Sequence, residues 1–387
     1  MARTLVTAND PTIMLVAGEA SGDLHGAMLA RALRRLRPGC RLVGMGGTRM
    51  AGEGVELLTD VTRAAAAGGT EAIGRVPLLL RAFRRLRAAV ERSPRPAAVV
   101  LIDFPEFNLR LARVATRAGV PVVYFIPPQL WAWRGRRIRT IRRFVSLVLA
   151  VFPFELPLYR QAGVPVEFVG HPLLDALEGA PARAEARREL GVESAVPLVG
   201  LLPGSRREEV ERLLPVMREA ATRVARARPD VRFVLGLAPT IEPAAVARHL
   251  DGIPPVAVVV QRSHAVMRAA DLLLVSSGTA TLEAALLGTP MIVAYRLSWP
   301  SELMVRFLVR VPWMSLANLT LGRSVVPELY QDAMTGERLA GETLRLLGDA
   351  AALEAQREAF RELGGQLGAP GVGARAARLV LGAARAA

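Results

Sequence analysis

Three short loops carry the residues best suited to chemistry, and each follows an apolar run. Behind TIMLVA comes a glycine loop holding Gly18, Glu19, Ser21, Gly22 and Asp23. Its glycines let a ligand approach the backbone. Its acids repel phosphate but accept hydrogen bonds from hydroxyls, so the loop suits the edge of a neutral polyol. GxGxxG is absent there, which argues against a dinucleotide. Behind DLLLVSS, Ser277, Gly278 and Thr279 open a helical stretch with no acid in the loop. Unpaired N–H groups and the helix dipole favour an anion at such a start. Glu283, about one turn on, offers a carboxylate to the two hydroxyls of a ribose. Behind PLVGLLP stand Gly204, Ser205 and Arg206, with Ser205 placed to cap a helix and the Arg206 fork suited to a diphosphate. Together the last two loops describe a nucleoside-diphosphate site. No Walker loop occurs, so ATP hydrolysis is not expected. Each feature also has a plain alternative: Ser277 or Thr279 as an ordinary cap, Glu283 as a surface charge, Arg206 as a surface arginine.

A fourth strand end, LIDFPEFN, closes on Asp103 and starts a helix with Glu106 and Asn108. A carboxylate desolvated there has a raised pKa and can act as a general base; otherwise it caps the helix. In IPPQLWAWRGRRIRTIRRF, Trp131 and Trp133 lie among six arginines, either flanking a ligand or anchoring a basic helix. His171 either lines a cleft or is structural. HExxH, a Cys/His pair and a paired-aspartate motif are all absent, so neither metal nor cofactor is expected.

These loops need a scaffold that presents strand ends. Short β-branched runs alternate with helical patterns along all 387 residues, the signature of parallel sheets covered by helices on both faces. Ten runs read as strands. The fold class is therefore α/β, with two doubly wound domains facing a cleft at their carboxyl ends. Residues 1–172 are expected to form the first, hydroxyl-binding domain, 173–196 a linker and 197–345 the nucleotide domain. Helices in 346–387 either return to the first domain or reach a partner chain in a homodimer. All 50 basic residues are arginine and the net charge is +15. That excess reads as a solvated surface or as an anionic partner. Nucleic acid is disfavoured, because only the Trp131 region sets aromatics among arginines. No secretory signal and no apolar segment of the ~18 residues that span a bilayer are found, which places the protein in the cytoplasm. The single cysteine, Cys40, fits a reducing compartment.

The motifs AGEASGDLHGA, IDFPEFN, PPQLWAWR, FPFE, FVGHPL, LLPGSRREEV and SGTATLE follow one another in this order between residues 13 and 330. In that order they resemble the lipid-A-disaccharide synthase family, glycosyltransferases of the GT-B architecture. The resemblance implies a metal-independent inverting transfer from UDP-2,3-diacylglucosamine to 2,3-diacylglucosamine 1-phosphate, giving a β-1,6 disaccharide and UDP. It implies peripheral attachment to an anionic membrane surface on the cytoplasmic face of the inner membrane. By motif, Asp103 matches the family's essential aspartate and Arg206 the arginine of PGSR. Glu283 matches the ribose-binding glutamate, Ser277-Gly278-Thr279 the diphosphate loop, and Asn318 a donor-side asparagine. Gly18, Glu19, Ser21, Gly22, Asp23, Asn108 and Trp133 fall on the acceptor side. Glu106 stands where the family often has aspartate, Pro-Pro-Gln-Leu replaces Ser-Pro-Ser-Val before Trp131, Ala317 replaces a proline, and AAAAGGTEAIG replaces a Met-Gly segment. A UDP-N-acetylglucosamine 2-epimerase is the rival with the same nucleotide site.

Overall fold

The computed structural model describes residues 10–60, 72–130, 137–247, 249–250, 254–296 and 312–385. The chain divides into two compact units, one from Met1–Asp175 with Leu367–Ala387 and the other from Ala176–Gln366.

In the first unit seven strands form one sheet: β1 (Thr12–Ala17), β2 (Arg41–Gly46), β3 (Glu56–Asp60), β4 (Ala98–Ile102), β5 (Val122–Phe125), β6 (Leu147–Ala150) and β7 (Val166–Phe168). Their order is β3-β2-β1-β4-β5-β6-β7, with every pairing parallel. In the second unit β8 (Leu198–Leu202), β9 (Arg232–Leu237), β10 (Val256–Val260), β11 (Leu272–Ser276), β12 (Met291–Tyr295) and β13 (Glu328–Tyr330) follow the order β10-β9-β8-β11-β12-β13, again all parallel. Continuous Val/Ile/Leu runs are what a strand covered on both faces requires. Accordingly β4, β8 and β11 are buried at every residue. Both orders reverse once, between β1 and β4 and between β8 and β11. Above such a reversal the crossover helices diverge to opposite faces and leave a crevice at the strand ends.

The segment read as a linker, 173–196, is folded. It includes the helix Arg183–Glu189, whose Arg187 is 4% exposed and donates to the carbonyls of Ala269, Glu193 and Val196. Helix Ala350–Gln366 lies in the second unit, while Val372–Arg385 lies in the first and packs on helix Ala20–Leu36 of the same chain. Asp175 fixes that last helix by accepting from the N–H groups of Gly371, Val372 and Gly373 at 2.6–3.1 Å. Among the described residues, no helix is long and apolar enough to cross a membrane.

Asp23, read as an acceptor for sugar hydroxyls, is spent inside the protein. It is 4% exposed, and its carboxylate accepts from Gly47 N–H at 2.7 Å, Met50 N–H at 3.0 Å and Arg49 N–H at 3.1 Å. Those groups open helix Thr48–Gly52, so the acid neutralises unpaired donors of a short helix start. Gly22 is likewise packed, since a Cβ there would lie 3.1 Å from the Ala17 methyl. Removing a buried charged acceptor strands three donors at a cost of about 2 kcal/mol. Asp23→Ala is therefore expected to lower the unfolding free energy extrapolated from urea melts by that amount, seen as a lower midpoint with an unchanged slope. A midpoint equal to wild type would contradict the cap.

Candidate active site

At the reversal in the first unit, β1 leads into Gly18 and β4 into Asp103. Asp103 and Phe104 both have φ of 48°, left-handed backbone without glycine. Each such residue costs on the order of 1–3 kcal/mol and persists only where its surroundings hold it. The Phe104 ring lies over Gly18 so closely that a Cβ at 18 would be 2.1 Å from the ring. Phe104 also stacks on Phe107 at 5.6 Å. Pro105 then opens helix Pro105–Arg117. Asp103 is therefore not the helix cap that its alternative reading required: Phe104 occupies that position and no side chain caps it.

The Asp103 carboxyl is held above the usual carboxylate range, first by burial, then by the negative charge of Glu19 and, less, of Glu106. Glu19 is exposed at the start of helix Ala20–Leu36, with Ser21 exposed beside it. Glu106 pairs with Arg137. Asn108, assigned to the acceptor, is fully buried; its Nδ2 donates to the carbonyls of Asp103 at 2.6 Å and Ile102 at 3.2 Å. It braces the turn from inside. His171 is buried and neutral, its pKa pushed down to about 3 by burial and then by His25, and its Nδ1 accepts from Leu173 N–H. Trp131, Trp133 and the AAAAGGTEAIG segment up to Glu71 lie outside the described residues.

At the reversal in the second unit, β8 leads into Pro203–Arg206 and β11 into Ser277–Gly278. Ser205 does not cap. The helix is Arg207–Ala227, and the Glu209 carboxylate accepts from the N–H groups of Ser205 at 3.1 Å and Arg206 at 3.3 Å. Thr240 Oγ1 donates to the Ser205 carbonyl at 2.6 Å. With those amides engaged by Glu209, the Arg206 guanidinium is what this loop offers an anion. Its side chain is 78% exposed and lies 3.6 Å from Glu209.

Gly278 has φ of 143° and stands at the start of helix Thr279–Leu286, where no side chain caps the first turn. Thr279 is exposed. Ser277 is not a cap; its hydroxyl donates to the Met314 carbonyl at 2.8 Å. Asn318, assigned to the donor, has no bonding capacity left to offer. Its Oδ1 accepts from Val325 and Val326 N–H, and its Nδ2 donates to the Val326 carbonyl and the Glu328 carboxylate. Glu328 also accepts from Met314 and Ser315 N–H, so Asn318 acts on the glycine loop through Met314. Neither Glu209, Glu328 nor His264 is marked by its local sequence, because the partners that give each its role are brought in by the fold.

Glu283 is partly buried, and His264 at the start of helix Ser263–Ala269 places Nε2 3.7 Å from its carboxylate, an ion pair longer than a hydrogen bond. Among the described residues, no group of three or more His, Cys, Asp and Glu side chains is disposed to hold a metal.

Two parallel-sheet Rossmann-like units with loops converging on each reversal define a protein of the GT-B class. Solved structures agree on the fold. MurG of Acinetobacter baumannii matches with a TM-score of 0.57 at 15% identity, covering 96% of this chain and 99% of that one. The UDP-GlcNAc 2-epimerase of Neisseria meningitidis, bound to UDP-GlcNAc, matches with a TM-score of 0.60 at 12% identity, covering 92% and 97%. The lipid-A-disaccharide synthetase family model matches residues 13–368. The lipid-A-disaccharide synthase of Myxococcus xanthus is 43% identical over 375 residues, 96% of this chain and 97% of that protein. That of Geobacter sulfurreducens is 43% identical over 374 residues, 95% and 96% respectively. The chain belongs to the lipid-A-disaccharide synthetase family and is a glycosyltransferase.

The Glu283 carboxylate raises the His264 pKa above 6.5, against the opposing effect of burial. A histidine raised on folding adds stability that is fully present below its unfolded value and is lost as pH rises through the folded one. NMR titration of the imidazole is expected to give a midpoint above 6.5 in the wild type and a lower one in Glu283→Gln. Equal midpoints would remove the pair.

Proposed function

We propose that the enzyme transfers 2,3-diacylglucosamine from UDP to the 6-hydroxyl of 2,3-diacylglucosamine 1-phosphate, with inversion and without a metal. The observation that carries this is the contrast between the two reversals. The first presents a desolvated carboxyl, Asp103, among acids that disfavour phosphate; the second presents arginine and an uncapped helix start. Asp103 takes the proton of the acceptor hydroxyl as its oxygen attacks the anomeric carbon. The bond to the departing UDP breaks through a transition state of oxocarbenium character, and the new bond has the inverted β configuration. Arg206 and the helix start at Gly278 stabilise the charge on the leaving diphosphate. Glu283 accepts the ribose hydroxyls, and Asn318, through Met314, keeps the Ser277 loop in place. On the acceptor side, Glu19 and Ser21 remain exposed to receive sugar hydroxyls.

Incubating the protein with both lipids and a chelator is expected to yield the disaccharide 1-phosphate by mass spectrometry. Asp103→Asn is expected to slow single-turnover transfer at least ~100-fold. Because the base works only when deprotonated, wild-type transfer should fall as pH drops through a value above the ordinary carboxylate range. A near-normal rate in Asp103→Asn, with the fold intact, would remove Asp103 as the base.

The acyl chains are best delivered at an anionic lipid surface. On helix Ala72–Glu91, Val76 and Leu80 are each 51% exposed and are followed by exposed Arg81, Arg84, Arg85 and Arg87. Apolar side chains beside arginines favour the interface of anionic lipid. Co-flotation with anionic vesicles is expected at low salt and should weaken as salt rises. No binding at low salt would overturn membrane attachment.

A further inference from the structure

We propose that Tyr124 and Asn108 are positioning residues for transfer, holding Asp103 in its left-handed conformation through paired hydrogen bonds to the Asp103 carbonyl. The proposal rests on the reading of Asp103 as the base.

The Asp103 carbonyl accepts from Asn108 Nδ2 at 2.6 Å and from Tyr124 Oη at 2.9 Å, so both its lone pairs are engaged. These bonds tie one peptide from two directions. Tyr124 reaches it from β5, the neighbouring strand, where it pairs in register with Leu101 of β4. Asn108 reaches it from the first turn of the following helix. By contrast, the Asp103 N–H makes only a long bond of 3.4 Å to the Phe125 carbonyl. The unusual backbone is therefore restrained chiefly through its carbonyl.

The asparagine bears a mark of that role. Its Nδ2 faces three carbonyls, those of Asp103, Ile102 and, at 3.5 Å, Val16, while its buried Oδ1 has no hydrogen-bond partner. Flipping the amide would aim oxygen at oxygen, so the orientation is fixed by the carbonyls. A buried unpaired acceptor is unfavourable, and a residue present only for packing would be apolar. Tyr124 is fully buried, and burial raises its phenol well above the ordinary value, so it remains a donor throughout the working pH range. Rotating the Asp103 peptide toward extended backbone would break both bonds and swing the carboxylate away from the strand end. It would also lift Phe104 from its seat on Gly18.

Tyr124→Phe keeps the ring and deletes one bond. In the full-length protein, single-turnover transfer at saturating substrates is expected to fall ~10- to 100-fold, as for a misplaced catalytic group. UDP affinity and donor KM should stay within about twofold. The acid limb of the rate profile should move to lower pH, because a released carboxylate regains water. Asn108→Ala should do the same if it folds; Tyr124→Phe carries the test if it does not. In an Asp103→Asn background, Tyr124→Phe should add nothing, since the two act as one unit. Should Asp103→Asn be inactive while Tyr124→Phe keeps the wild-type rate and acid limb, the positioning role fails and the base survives. An independent loss in the double variant also overturns it. Near-normal transfer in Asp103→Asn overturns both.

Discussion

Everything in this protein that bears on chemistry follows from a single topological constraint, the reversal of strand order in a parallel sheet. Right-handed crossovers place their helices on one face before the reversal and on the other after it. The strand ends beside the reversal are then left uncovered by any connection. Gly18 and Asp103 occupy those ends in the first unit, Arg206 and Gly278 in the second. The scaffold is repeated, and the side chains at the two crevices set the difference. One set is acidic, desolvated and braced by buried donors. The other sets an exposed guanidinium and open N–H groups around a glycine.

Nine of the thirteen described strands were legible as apolar runs because they are covered on both faces, which leaves little room for polar residues. A tenth, the edge strand β10, has no buried residue and was legible from its unbroken Val/Ala run alone. The three that were not, β3, β7 and β13, lie at sheet edges. Val166–Phe168 has no fully buried residue and Glu328–Tyr330 is half-buried throughout, so neither carries the continuous apolar signal. The loops were legible for a related reason: glycine, small hydroxyl and acidic residues bunched directly behind those runs. What local sequence could not convey was the destination of each polar group. Asp23 finds its partners 24 to 27 residues away, and Asn318 turns inward to a carboxylate ten residues on. Asp23 reads as a ligand contact from its loop and Asn318 from its motif, and both are internal braces in the structure.

The backbone of Asp103 shows the same limit from the other side. Nothing in Asp-Phe-Pro marks a left-handed pair, since the usual signals are glycine and asparagine. The conformation exists because a phenol on the adjacent strand and an amide on the next helix fall within reach of one carbonyl, and because position 18 lacks a Cβ. A strained element sustained by its neighbours ties catalytic geometry to the packing of three separate chain segments.

The attachment of the last helix has a consequence for synthesis. Asp175 holds residues that emerge 196 to 198 positions later, after the whole of the other unit. A ribosome must therefore translate the whole of the intervening unit before the first unit can close its own surface. Until then the stripe of helix Ala20–Leu36 that Val372–Arg385 will cover stays wet, and a nascent chain must wait in that half-finished state while the intervening sheet forms. A premature stop just before Gly371 would leave the intervening sheet whole, yet it would cripple the half of the molecule that was made first.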